Sequence, residues 1–347
     1  MLLKKHTYLP LIQIKLLTII SSFLTYHAKP FYQERSKAGL NFYVFILHQY
    51  KGGTVEIRRI ESYNMPLDRP ANNYVVSFKG KKYLIDAGAS QNAIIDIDKI
   101  DYILITHSHW DHTLGISGVR NKKICMSKET YDEIVNERFI ENTERIAKAF
   151  GYNSNSLPKY ALGIMNSMIS YYNKVRKALD QNDIIIIDEC KPIQEGLVSY
   201  MKCYGHSYDH ICYFIKNHLF PGDNILPGGN ITLLDFFEYN KSMINLYSRN
   251  DWDYIHPGHG PEIKRNGSIT WLSDTITGKI RRLLALISLI NHEWTPADKI
   301  LFKLYQNLND LLIFVAARSM LGYLLSLESL KLVEIDKKQN PWLIRKL

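Results

Sequence analysis

The chain has 347 residues, 46% of them hydrophobic, which is enough for a full core and a second domain and too apolar for a disordered protein. Its formal charge of +9 gathers at the ends: residues 1–41 hold six Lys/Arg against one Glu, and residues 278–347 hold eleven against six acids. The middle is near neutral, so basic ends grip an anionic polymer outside a central site or serve solubility alone. Cys125, Cys190, Cys203 and Cys212 form no C-x-x-C and no close pair. That excludes a disulfide-rich secreted domain and leads us to expect buried free thiols in a reducing, cytoplasmic compartment.

In chain order, Leu9–Tyr26 is largely apolar but is broken by Pro10, Gln13 and Lys15. It falls short of the roughly twenty uncharged apolar residues of a membrane span. Residues 1–41 are expected to be a basic, non-catalytic extension, with an organellar transit segment or a membrane tether as alternatives. Tyr43–Leu47, Thr54–Arg58, Tyr74–Phe78 and Lys82–Ile85 read as strands, with turns at Gly52-Gly53 and Lys79-Gly-Lys81. Asp101–Ile105 is short, β-branched and aromatic, so it reads as a buried strand. The heptad Thr106-His-Ser-His-Trp-Asp-His112 follows it directly. His107, His109, Asp111 and His112 put three imidazoles and a carboxylate at a strand's carboxyl end, a donor set suited to a divalent transition metal, above all zinc.

Lys122–Met126 is a further strand, followed by two amphipathic helices, about Lys128–Phe150 and Leu157–Leu179, and by the strand Asp183–Asp188. This helical insertion, about residues 127–180, is placed to cap a cleft. Its Tyr160, Tyr171 and Tyr172 serve as stacking platforms or as ordinary packing. More donors then follow strand-like segments: His206 after Met201–Gly205, Asp223 after Ile211–Ile215 and Leu219–Gly222, and His259 after Trp252–Ile255. Seven nitrogen- and oxygen-donor residues suffice for two zinc ions sharing a bridging carboxylate; Mn2+ or Fe2+ fits the same donors. From Gly278 the pattern turns helical over Lys279–Asn291. Thr295-Pro-Ala-Asp298 reads as a capped helix start, Asp310–Ser329 as a third helix, and Leu332–Ile335 with Trp342–Ile344 as a wing. Arg318 is the one cation of that third helix, which argues against sequence-specific DNA reading. The segment then packs on the body, guides a flexible strand, or forms a homodimer.

The order His-x-His-x-Asp-His, Gly-His, Gly-Asp and Pro-Gly-His-Gly resembles the metallo-β-lactamase superfamily. So do Leu84-Ile-Asp-Ala-Gly88 and the preceding Asn73–Ser77, over about residues 55–265 in all. Ala87 and Leu114-Gly115 depart from the usual motifs but remove no ligand. The resemblance implies a four-layered αββα sandwich in residues 42–277. It also implies one metal on His107, His109 and His206, a second on Asp111, His112 and His259, and Asp223 bridging both. Gly205–His210, Phe220–Ile225 and His256–Pro261 resemble, more narrowly, the β-lactamase-like protein 2 group. That likeness implies a winged-helix-like domain in residues 278–347, ending at Asn340–Leu347.

It also implies a dinuclear zinc hydrolase of single-stranded RNA phosphodiesters. An acyl-thioester or acyl-ester hydrolase (thioesterase) is the alternative, and a non-catalytic RNA-binding protein comes third. In the expected chemistry the metals lower the pKa of water towards roughly 7 and Asp111 orients it. Asp86 ties down the heptad. His210 donates to substrate or leaving group, with Asp209 a further candidate.

Overall fold

The computed structural model describes residues 46–48, 55–61, 71–88, 97–136, 138–152, 159–227, 231–306 and 310–347. All lie in one compact unit, Tyr43–Leu347, and the expected extension at residues 1–41 falls outside the described residues. The first sheet runs in sequence order through β1 (Ile46–His48), β2 (Val55–Glu61), β3 (Asn72–Phe78), β4 (Lys81–Ile85), β5 (Tyr102–Leu104), β6 (Lys123–Met126) and β7 (Asp183–Ile186). Pairing is antiparallel as far as β4 and parallel from β4 to β7.

Alternation along these strands sets the layers, because successive side chains of a strand point to opposite faces. Tyr83, Ile85, Tyr102, Leu104 and Cys125 share one core with Tyr213 and Phe220 of the second sheet. Leu84, Ile103, Ile105, Ile124 and Met126 share the other with Ile134, Val175 and Leu179 of the helices outside. The helices on that outer face stand between β6 and β7: α2 (Lys128–Val135), α3 (Arg138–Ala149) and α4 (Lys159–Leu179). They follow the one-turn α1 (Trp110–Thr113). One continuous helix was expected over most of Lys128–Phe150. The structure ends α2 at Asn136, a poor helix former that sits as C-cap with its N–H on the Asp132 carbonyl.

After the one-turn α5 (Lys191–Gln194) come β8 (Ser199–Lys202), β9 (Ile211–Ile215), β10 (His218–Gly222), β11 (Tyr254–Pro257) and β12 (Ile263–Lys264), which form the second sheet in the order β12-β11-β10-β9-β8. Between β10 and β11 runs α6 (Phe236–Ser248), with Tyr239, Met243 and Leu246 buried; Asp235 caps its start by accepting from the N–H groups of Phe237 and Glu238. The result is the αββα sandwich.

Two boundaries shift in the C-terminal part. α7 (Arg265–Leu289) is one continuous helix, so the expected domain border at 277/278 falls inside it. Gly267 and Gly278 lie within it, and neither is required by packing, since a Cβ at either would meet nothing within 4 Å. Thr295-Pro296 is not a helix cap but a short strand, β13, paired with β15 (Leu343–Lys346), and α8 (Ala297–Leu304) begins after it. α9 (Asp310–Ser329) and the antiparallel pair of β14 (Val333–Asp336) with β15 complete the tail. Met320, Leu321, Leu324 and Leu327 of α9 are buried, which accounts for its shortage of cations: it is a packing helix.

Cys125 and Cys190 are joined as a disulfide, contrary to the expectation of four free thiols. They stand 65 residues apart and meet because β6 and β7 pair alongside them, a contact that sequence spacing does not reveal. With this bond in place the cysteines do not point to a reducing compartment. Cys203 and Cys212 are free and buried, as expected.

Ile103 is fully buried between the first sheet and its helices. Ile103→Ala should therefore cost about 2–5 kcal/mol in urea unfolding; a loss under about 1 kcal/mol would contradict the layering.

Candidate metal centre

The heptad leaves β5 as a loop that runs into α1, and three separate anchors hold it. Asp86, at the end of β4, accepts from the Thr106 N–H at 2.8 Å and the Thr106 hydroxyl at 2.9 Å, and lies 2.8 Å from His112 Nδ1. Its φ of 59° is left-handed, a conformation that Asp tolerates better than most residues. Gly88, two residues on, passes so close that a Cβ there would lie 1.5 Å from the Asp111 carbonyl oxygen. Its N–H donates to Asn73 Oδ1 at 2.8 Å. From the other side, Asp209 Oδ2 accepts from the Ser108 N–H at 2.6 Å and the Thr130 hydroxyl at 3.1 Å. Tyr172 of α4 donates its hydroxyl to the Ser108 carbonyl at 3.1 Å. Tyr171 stacks on Trp110 with centroids 5.5 Å apart, so both tyrosines are packing residues. The side chain of Tyr160 lies outside the described residues.

The second sheet brings the remaining donors. His206, on the loop after β8, directs Nδ1 to the Thr232 carbonyl at 2.9 Å. Asp223 follows β10. His259 sits on the loop after β11, and Asn72 fixes that loop by donating Nδ2 to the Pro257 carbonyl at 3.0 Å and the Gly260 carbonyl at 2.8 Å. Gly258 in the same loop has no room for a side chain, since a Cβ would lie 2.4 Å from Asp223 Oδ1.

These loops converge into two ligand sets, each with atoms within 4.8 Å of one another: His107, His109, His206 and Asp223, and Asp111, His112, Asp223 and His259. In the first, His107 Nε2 lies 2.9 Å and His206 Nε2 3.0 Å from His109 Nδ1. Asp223 belongs to both: Oδ2 is 3.5 Å from His206 Nε2, and Oδ1 is 3.2 Å from His112 Nε2 and 3.5 Å from His259 Nε2. Asp111 Oδ2 closes the second set, 3.1 Å from His259 Nε2. All seven residues singled out in the sequence as ligands are thus in two touching groups.

The electrostatics suit a cation. Burial holds His107 and His109 well below the usual imidazole pKa, and His206 down at about 3, so the first set presents neutral imidazoles at neutral pH. In the second set burial is outweighed by opposite charges. His112 is raised by Asp223, Asp111 and Asp86, while Asp223 is held well below the carboxylate range by His259 and His112. His112 Nε2 and Asp223 Oδ1 are buried without a hydrogen-bond partner although they face each other. Buried polar atoms left unpaired in this way are costly unless an ion takes their lone pairs.

His210 is not among these ligands. It is fully buried, accepts from the Asp223 N–H on Nε2 at 3.1 Å, and has Nδ1 2.9 Å from the Asn224 amide. Both ring nitrogens are engaged in holding the Asp223 loop, so the expectation that His210 donates to substrate does not fit its place. Two features are easily missed in the sequence. Asn73 enters there only at the head of the Asn73–Ser77 segment and Asn72 is not singled out, although both amides are buried and bonded in the structure. Arg318, on α9, lies with a guanidinium nitrogen 2.9 Å from His109 Nε2.

Paired His/Asp sets at the strand ends of an αββα sandwich define a metal-dependent hydrolase class. The chain belongs to the metallo-beta-lactamase superfamily, a hydrolase family, whose model matches residues 67–269. It is 24% identical over 206 residues to a beta-lactamase-like protein 2 homolog of Caenorhabditis elegans, covering 56% of this chain and 57% of that one. It is 23% identical over 186 residues to a hydroxyacylglutathione hydrolase of Hydrogenovibrio crunogenus, covering 52% and 53%. The chain thus spans little more than half the length of these curated relatives. Among solved structures, a metallo-beta-lactamase family protein of Thermus thermophilus superposes with a TM-score of 0.61 at 16% identity, covering 84% of this chain and 98% of that one.

Because Asp86 orients His112 from behind, Asp86→Ala should weaken metal binding by about 10–100-fold in a chelator competition. An unchanged affinity would show that the carboxylate does not act through His112.

Proposed function

We propose that the protein is a dinuclear zinc hydrolase that cleaves acyl esters or thioesters with water. The observation that carries the dinuclear reading is the Asp223 carboxylate, with one oxygen turned to each ligand set. His107, His109 and His206 would hold one ion, Asp111, His112 and His259 the other, and Asp223 both. Such a pair supplies Lewis acidity and lowers the pKa of water towards roughly 7. Asp111 is held below the ordinary carboxylate range because His112 and His259 outweigh its burial, so it remains an acceptor that orients water at neutral pH.

The choice of substrate rests on what covers the centre. We read the tail, from Arg265 onward, as a winged-helix-like domain that serves as a wall of the cleft. Arg318 is the cation felt at His109, His206 and Tyr172. At helical spacing before it, Val315 and Leu312 are 39% and 47% exposed. An apolar approach with a single guanidinium suits an acyl group. A polyanion asks for several cations along a groove. Single-stranded RNA is the second reading, favoured by the excess of Lys/Arg in residues 278–347.

The test pairs the zinc-loaded protein with a panel of p-nitrophenyl esters and acyl thioesters, and with a labelled single-stranded RNA. We expect ester or thioester turnover that His109→Ala and Asp111→Ala each reduce by about a thousandfold or more. Salt-sensitive RNA cleavage without ester turnover would overturn the substrate choice, and full turnover in both variants would overturn the metal assignment.

A further inference from the structure

Of the five histidines in the two ligand sets, three turn their outer nitrogen to an acceptor. His107 Nδ1 faces the Thr106 hydroxyl oxygen at 3.0 Å, whose own proton goes to Asp86. His112 Nδ1 faces Asp86, and His206 Nδ1 faces the Thr232 carbonyl. Each acceptor keeps a proton on the outer nitrogen and leaves the inner lone pair for a cation. His109 differs from these three: its outer nitrogen, Nε2, faces the Arg318 guanidinium at 2.9 Å.

That pairing changes meaning when a metal is bound. With Nδ1 engaged, a neutral imidazole carries its proton on Nε2, and a guanidinium has five N–H donors and no acceptor. Two donors then converge with nothing between them to accept. Arg318 forms no ion pair and no further hydrogen bond among the described residues. The acids whose charge it feels are otherwise engaged: Asp111 and Asp223 belong to the ligand sets, and Asp209 accepts from Ser108 and Thr130. Glu133 is pushed up to about 7 by burial and by Asp209, which makes it a weak counter-ion at neutral pH.

We propose that Arg318 and the Nε2–H of His109 form an anion-binding notch beside the metal centre, and that it receives a carboxylate carried by the substrate. The proposal deepens the dinuclear reading and rests on it, since the donor on Nε2 follows from Nδ1 being a ligand. A carboxylate matches the flat fork of a guanidinium with two parallel hydrogen bonds, and a lysine would not reproduce that geometry. The substrate class becomes an acyl ester or thioester with a carboxylate a short spacer from the scissile carbonyl. Arg318 is then the residue that selects it.

Binding can be read without turnover. Acetate offers one carboxylate for the metals alone, whereas succinate, glutarate and adipate offer a second at increasing reach. Calorimetry on the zinc-loaded full chain should show one of the three dicarboxylates binding about tenfold or more tighter than acetate. Arg318→Met should abolish that preference, and Arg318→Lys should restore only part of it. Zinc affinity, followed by chelator competition, should stay within about threefold of the wild type in both variants, because Nδ1 is untouched. Equal binding of acetate and all three dicarboxylates by the wild type would overturn the notch, as would a preference that survives Arg318→Met. A marked loss of zinc affinity in Arg318→Met would also overturn it, by showing that Arg318 positions His109. Fewer than two zinc ions on the wild type would instead overturn the dinuclear reading, and the notch with it.

Discussion

The structure depends on one carboxylate that belongs to two places. Asp223 sits where loops from both sheets meet, and its two oxygens face two sets of imidazoles. Burying those groups in neutral or opposed charge states, with lone pairs unmet, is unfavourable unless a cation compensates. The surrounding chain is arranged to tolerate that burial. Asp86 secures the heptad from β4, Asp209 and Tyr172 secure it from the other flank, and Asn72 secures the His259 loop. Even His210, which has the chemistry of an acid, is used to hold the Asp223 N–H.

A second constraint acts from outside the sandwich. α4 reaches the heptad through Tyr172 and α9 reaches it through Arg318, so the insertion and the tail both close on the same loop. α9 is apolar because most of its surface packs, and the one cation it carries faces His109. The helices and paired strands of the tail thus place Arg318 beside a proposed metal ligand.

Local patterns make much of this legible. β9 and α9 can be read to the residue, because an apolar run of five and a twenty-residue helical stretch are signals contained within themselves. All seven proposed ligands stand in four short motifs, since donors that follow buried strands need only a fold to bring them together. What escapes depends on distant partners. The pairing of Thr295-Pro296 with β15 and the Cys125–Cys190 bond are each decided by tertiary contacts. Arg318 lies 209 positions from His109 and is visible in the sequence only as a lone cation on an apolar helix.

The most direct measurement is the metal stoichiometry of the purified chain and of its Asp223→Ala variant, by elemental analysis with chelator titration. The account predicts two divalent ions per chain in the wild type, and loss of tight binding at both positions when the shared carboxylate is removed. A single ion in the wild type, or two ions retained at unchanged affinity without Asp223, would contradict it.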